Sequence, residues 1–150
     1  MSDPKTAAIP VVDCGEPLLD VRTEEPFPLD ARRRDDPGAY AHLHVSPPEI
    51  APHSTGAAVG LTLVDADGRE LDMGTPVNAN PEESDGACYS VADGISGRAR
   101  AHRRLLSDAL IAAGLVNYPT EWWHWSYGDR YRALATGAGH ALYGPRELDA

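Results

Sequence analysis

Basic charge is scarce in this sequence. Thirteen Lys and Arg stand against 23 Asp and Glu, a formal net charge of −10. That balance argues against a surface for nucleic acid or anionic membrane, because both need basic patches to neutralise phosphate. The one basic cluster, Arg32-Arg33-Arg34, runs straight into Asp35-Asp36 and reads as a solvated, self-neutralising turn. Long apolar runs are also missing, and no window approaches a membrane span. The N-terminal stretch "MSDPKTAAIPVVD" lacks an apolar core of signal-peptide length, so a cytoplasmic protein is expected. Only two cysteines are present, Cys14 and Cys88. In a reducing compartment they read as free thiols; a single disulfide is the alternative that the count allows.

What is there fits one domain over residues 1–150, with 1–8 as a disordered lead-in. Fourteen Gly and 13 Pro predict much loop and turn. "IPVVDCGEPLLDVR" reads as one or two extended pieces, an edge strand by its Pro and Asp punctuation. Two apolar runs, Val59–Val64 and Glu70–Met73, flank Asp65-Ala66-Asp67-Gly68, which is a hairpin signature. "GRARAHRRLLSDALIAAG" predicts a helix capped by Ser96 or Gly97 and ended by Gly114. Its apolar face is expected at Leu105, Leu106, Ala109, Leu110 and Ala113, with His102 as a surface or interface residue. "GLVNYPTEWWHWSYGD" reads as strand, turn and strand, and 130–136 as a short helix.

The segment "PTEWWHW" gathers all three tryptophans, Trp122, Trp123 and Trp125, around Glu121 and His124. A carboxylate and an imidazole three residues apart share a face on a helix and point to opposite faces on a strand. Indole rings around them would exclude water and strengthen their electrostatics. A desolvated Glu needs compensation, which a bound water would provide, and a metal ion would do the same for the His.

Upstream, "PHSTGAAVGLTLVD", "ELDMGTPVN" and "ARAHRRLL" precede "NYPTEWWHW". In this order and spacing, Val45 to about Arg130 resembles the D-alanyl-D-alanine dipeptidases, the VanX-type zinc peptidases. "EPLLDVR" at 16–22 is similar to that family's N-terminal segment. The resemblance implies an α+β fold of the hedgehog and D,D-peptidase type, a small antiparallel sheet with flanking helices, here truncated. It also implies that His53 and His124 ligate zinc and that Glu121 is the catalytic general base. Ser54, Trp122 and Trp123 would face the substrate.

Two features depart from the family pattern. The family places an Asp ligand seven residues after its first His, and this chain has Gly60 there. The family's oxyanion arginine lies in a Gly-Tyr-Arg-Pro context that this sequence lacks; Arg22, Arg32, Arg33 and Arg34 are the available substitutes. The interval that normally carries a helical and strand region is reduced to about twenty residues, Thr23 to Val45. His42-Leu43-His44 reads either as an exposed pair on an edge strand or as the source of a replacement metal ligand. Asp65 and Asp67 are weaker ligand candidates, since a turn explains them.

Three functions follow as expectations. The first is a repurposed metalloenzyme that tailors a small amino-acid- or peptide-derived metabolite by hydrolysis, lyase chemistry or cyclisation. The second is a zinc-dependent hydrolase of D-Ala-D-Ala-like dipeptides. The third is a non-catalytic relic that binds a small ligand or a partner. The cofactor expected is zinc or another divalent transition metal such as iron or copper. The partner expected is a small molecule or dipeptide, and apolar surface left uncovered by the shortened fold would favour a homodimer.

Overall fold

A computed structural model describes residues 52–145, together with Lys5, Ala8 and Pro10. Cys14, Arg22, Arg32 to Arg34, His42 and His44 lie outside the described residues. Among the described residues the architecture is α+β, as expected: a three-stranded antiparallel sheet accompanied by two helices.

The described chain opens with a 3-10 turn, Pro52–Thr55. The Thr55 hydroxyl donates to the Pro52 carbonyl at 2.6 Å and accepts from the Ala57 N–H at 3.0 Å. These bonds fasten the turn to strand β1, Ala58–Gly60. The hairpin turn that follows is present. Asp65 Oδ1 accepts from Asp67 and Arg69 N–H, both at 2.9 Å, and Gly68 takes a positive φ of 78°. The strands beside it are shorter than expected. Beyond β1, the hairpin arms meet at the isolated bridge Val64 to Glu70 and through the Leu71 N–H, which donates to Leu63 C=O at 2.8 Å. Leu61 and Leu63 pack their side chains onto the core.

Residues 74–95 form a loop docked against the sheet. The Trp122 N–H donates to Cys88 C=O at 3.1 Å, and the Ser90 N–H donates to Pro119 C=O at 2.9 Å. Gly74 sits at φ 89°, and a Cβ there would stand 2.8 Å from Ile95 Cγ2, so the position needs glycine. Helix α1 spans Gly97–Ala112, with Ser96 as its cap accepting from the Ala99 N–H at 3.0 Å. Its buried residues are Ala99, Arg103 and Leu106, with Leu110 partly covered.

That face corrects the one expected from the sequence: Leu105 is 60% exposed, and Ala109 and Ala113 also face solvent. The cause is Arg103. Its Nε donates to Met73 C=O at 2.7 Å, and its two terminal nitrogens donate to Tyr89 C=O at 2.7 Å and Ala87 C=O at 2.8 Å. Residues 99, 103, 106 and 110 keep helical spacing, but the stripe is centred on a cation.

Strand β2, Val116–Tyr118, turns through Pro119 and Thr120 into β3, Glu121–Ser126. The sheet order is β1-β3-β2, so β3 is central and buried on both faces. Helix α2, Arg130–Thr136, is capped by Asp129, whose carboxylate accepts from the Arg132 N–H at 2.7 Å, and closes on Gly137 in the left-handed region. The core joins Met73, Cys88, Leu106, Trp122 and Trp123, with Leu61, Leu63, Val77, Ala79 and Leu110 packed on it. Cys88 is a free, buried thiol. Among the described residues no helix is long and apolar enough to cross a membrane.

Candidate functional site

β1 and β3 bring together residues far apart in sequence. Their register pairs Gly60 with His124, Val59 with Trp125 and Ala58 with Ser126. The 3-10 turn that leads into β1 therefore sets His53 over the middle of β3. The His53 and His124 rings stand 4.7 Å apart between centroids and 12° from parallel. Glu121 Oε2 lies 3.0 Å from His124 Nδ1. His53, His124 and Glu121, three residues singled out from sequence, thus meet at one place.

A strand alone would have separated Glu121 from His124. The β2–β3 ladder prevents this by losing register. Asn117 pairs with Trp125, but the next residue, Tyr118, pairs with Glu121. One step along β2 matches four along β3, so Trp122, Trp123 and His124 bulge without a β2 partner. Such a bulge re-aims side chains, and here it returns Glu121 and His124 to the same side.

Exposure divides the roles. The His124 side chain is 8% exposed and that of Glu121 38%, so the carboxylate is the member that reaches solvent. His53 keeps an exposed surface. Burial of its inner side, then the adjacent His124, lowers its pKa and favours the neutral imidazole. A backbone hydrogen bond to Ala58 works the other way, holding the ring in place. Tyr118 extends the ring cluster, 5.3 Å from His124 and 4.7 Å from Tyr131.

The tryptophans build the floor. Trp122 and Trp123 are 2% and 4% exposed and meet edge to face at 5.4 Å. Trp122 Nε1 donates to Thr75 Oγ1 at 2.8 Å, and Trp125 Nε1 donates to Trp122 C=O at 3.1 Å. Where the sequence predicts substrate-facing indoles, the structure places Trp122 and Trp123 in the core, supporting β3 from beneath. Ser54 is half-buried on the same turn as His53. Asp65 and Asp67 serve the hairpin turn, Asp67 pairing with Arg69 at 2.7 Å. His102 Nδ1 contacts Asp72 C=O at 2.8 Å, away from the site.

The two imidazoles converge, each with one ring nitrogen held by a hydrogen bond. A catalytic zinc takes three protein ligands. Among the described residues no group of three His, Cys, Asp or Glu is arranged to hold a metal. The described residues do not fit a complete zinc set, and Gly60 stands where the third ligand is expected.

Asn117 and Tyr118 were missed by sequence reading. Asn is depleted in strands, so its place inside a predicted strand was the available signal.

Comparison with known proteins follows the same residues. The sequence profile of the M15 peptidases, described as D-Ala-D-Ala dipeptidase, matches residues 29–137. A D-alanyl-D-alanine dipeptidase of Synechocystis sp. is 37% identical over 96 residues, covering 59% of this chain and 39% of the relative. The Escherichia coli D-alanyl-D-alanine dipeptidase is 35% identical over 72 residues, 48% of this chain and 35% of its own length. That of Enterococcus faecium is 34% identical over 77 residues, 51% and 37% respectively. The matches to these curated relatives thus span less than two fifths of the relatives' length.

Proposed function

The chain belongs to the D-Ala-D-Ala dipeptidase family of M15 peptidases, and on that premise we propose that it is an enzyme acting on a small amino-acid- or dipeptide-derived molecule through Glu121, His124 and His53. The observation that carries this reading is the 3.0 Å contact of Glu121 Oε2 with His124 Nδ1 beside the His53 ring. A carboxylate that reaches solvent while hydrogen-bonded to a buried imidazole suits general acid–base work. Glu121 takes a proton from a water or a substrate group, and His124 orients it. His53, favoured in its neutral form, is the second base within reach. The tryptophan floor excludes water from beneath the pair. Glycine at position 60 supports chemistry altered from that of the relatives: hydrolysis, elimination or cyclisation of a small metabolite.

The convergence of His53 and His124 favours a second reading, a metal-dependent dipeptidase in the manner of the named relatives. In that reading the two imidazoles, with a third ligand drawn from His42 or His44, would hold zinc, iron or copper. The metal would supply Lewis acidity at the bound substrate. Turnover assays with D-Ala-D-Ala and a panel of other dipeptides and amino-acid amides, each with and without added zinc, iron or copper, separate the readings. Turnover of a panel member but not D-Ala-D-Ala, abolished by Glu121→Gln, supports the first. Cleavage of D-Ala-D-Ala with about one bound metal per chain supports the second. No turnover under any condition contradicts both and leaves a ligand-binding relic.

A further inference from the structure

We infer that Asn117 is the positioning residue that creates the Glu121–His124 pair, by clamping the β3 bulge with its side-chain amide. The inference concerns the same site as the proposed function and rests on that reading only for its catalytic consequence.

The backbone accounting identifies the clamp. Within the bulge, Trp122, Trp123 and His124 have no β2 residue opposite them. Their carbonyls still need donors, because an unpaired buried carbonyl is costly. The Trp123 carbonyl accepts from the Leu61 N–H at 2.9 Å, on the β1 side. Those of Glu121, Trp122 and His124 share one donor group, and the Trp122 carbonyl also accepts from Trp125 Nε1 at 3.1 Å. Asn117 Nδ2 lies 3.1, 3.4 and 2.9 Å from them, respectively. One amide with two hydrogens therefore ties together the two ends of the bulge, the carbonyls of Glu121 and His124, where the ladder is missing. No backbone N–H of β2 could do so, since each reaches only one carbonyl.

The amide is itself held. The Ser90 hydroxyl donates to Asn117 Oδ1, which turns Nδ2 toward the β3 carbonyls. Ser90 Oγ also lies 3.1 Å from Tyr118 C=O, and Tyr131 Oη donates to Asn117 C=O at 3.1 Å. The 74–95 loop and α2 thus both brace the residue from outside the sheet.

The consequence for the site follows from strand geometry. Without the bulge, residues three apart on β3 would face opposite sides of the sheet. With it, the Glu121 carboxylate and the His124 imidazole come to 3.0 Å. Asn117 touches neither group's reacting atoms; it acts through the backbone that carries them.

The test compares Asn117→Asp, which keeps the side chain's shape and removes both N–H donors, with Glu121→Gln and with Ser90→Ala. The readout is the ¹⁵N and ¹H signals of the His124 ring in folded protein. Asn117→Asp is expected to move those signals to where Glu121→Gln moves them, and Ser90→Ala to move them part of the way. In active protein, kcat should fall about tenfold with KM little changed, as for outer groups that orient a site. Unaltered His124 signals in Asn117→Asp, with only a lower Tm, would overturn the inference. Should that variant not fold, unaltered signals in Ser90→Ala overturn it equally. A protein that turns over nothing yet shows the coupling would defeat the enzymatic reading and leave this one standing.

Discussion

Gly60 and His124 are cross-strand partners, and residues directly opposite in an antiparallel pair project from the same face. A Cβ at Gly60 would meet only Trp123 Cδ1, at 3.5 Å, which is ordinary contact. Gly60 is also absent from the residues with positive φ, so an L side chain is unstrained there. Gly60→Asp should therefore fold normally and tighten zinc binding by about tenfold or more, since it adds a charged third ligand beside two imidazoles. Calorimetric titration with zinc checks this, and an unchanged affinity would place the two imidazoles out of reach of a common ion. His53 gives a second prediction. Burial and the neighbouring His124 lower its pKa in the folded state, so the unfolded chain takes up this proton first as pH falls. Stability should then drop as pH falls through about 6.5, the unfolded imidazole's pKa. Urea unfolding between pH 7.5 and 5.5 should show this loss in the wild type and less of it in His53→Asn; equal slopes would contradict it. At this scale the sequence was informative about identity. Glu121 and His124 stood out by residue type and spacing, and His53 through the family resemblance. Nothing in the local sequence marked how a strand could join the first two, because the answer lies in one asparagine's side chain.

α1 is a helix whose ends were legible and whose orientation was not. Ser96 caps it and Gly114, at φ 83°, ends it, both as the residue types predict. Periodicity of apolar residues favoured a face through Leu105, and the tertiary structure chose the face through Arg103 instead. A guanidinium able to satisfy three backbone carbonyls of the 73–90 segment outweighs the burial of one leucine. It also lies over the Trp122 ring, 5.4 Å from its centroid. Burial lowers its pKa, though a guanidinium remains charged throughout. Arg103→Ala leaves Met73, Ala87 and Tyr89 carbonyls without this donor and should cost about 3 kcal/mol or more. Arg103→Lys keeps the charge but not the fork, and should recover only part of that loss. Thermal unfolding of the two variants measures both; a loss below about 1 kcal/mol in Arg103→Ala would mean that water replaces the guanidinium at little cost. The hairpin teaches a related lesson. Its Asp-Gly turn formed as written, but strand length depends on which neighbour is available to pair, and local sequence carries no such information.

The described part of the molecule is a scaffold for one central strand. β1 and the 3-10 turn deliver His53 to it, β2 imposes the bulge, and α1 with the 74–95 loop closes the apolar floor beneath Trp122 and Trp123. The Ala141 N–H donates to Pro10 C=O at 2.7 Å. The fold class and family were legible because the motifs that carry them, "PHSTG" and "TEWWHW" among them, lie within these elements. Substrate was not, because the matches to the relatives span only part of their length and position 60 holds Gly where the family resemblance leads one to expect a ligand. The central claim is that Glu121, His124 and His53 form one acid–base site on a small-molecule enzyme. Its most direct test is turnover of the dipeptide and amino-acid amide panel by wild-type protein and by Glu121→Gln, with metal content measured on the same samples. The account predicts turnover of at least one panel member, lost in Glu121→Gln while fold and metal content stay unchanged. Equal turnover by the two proteins would contradict it.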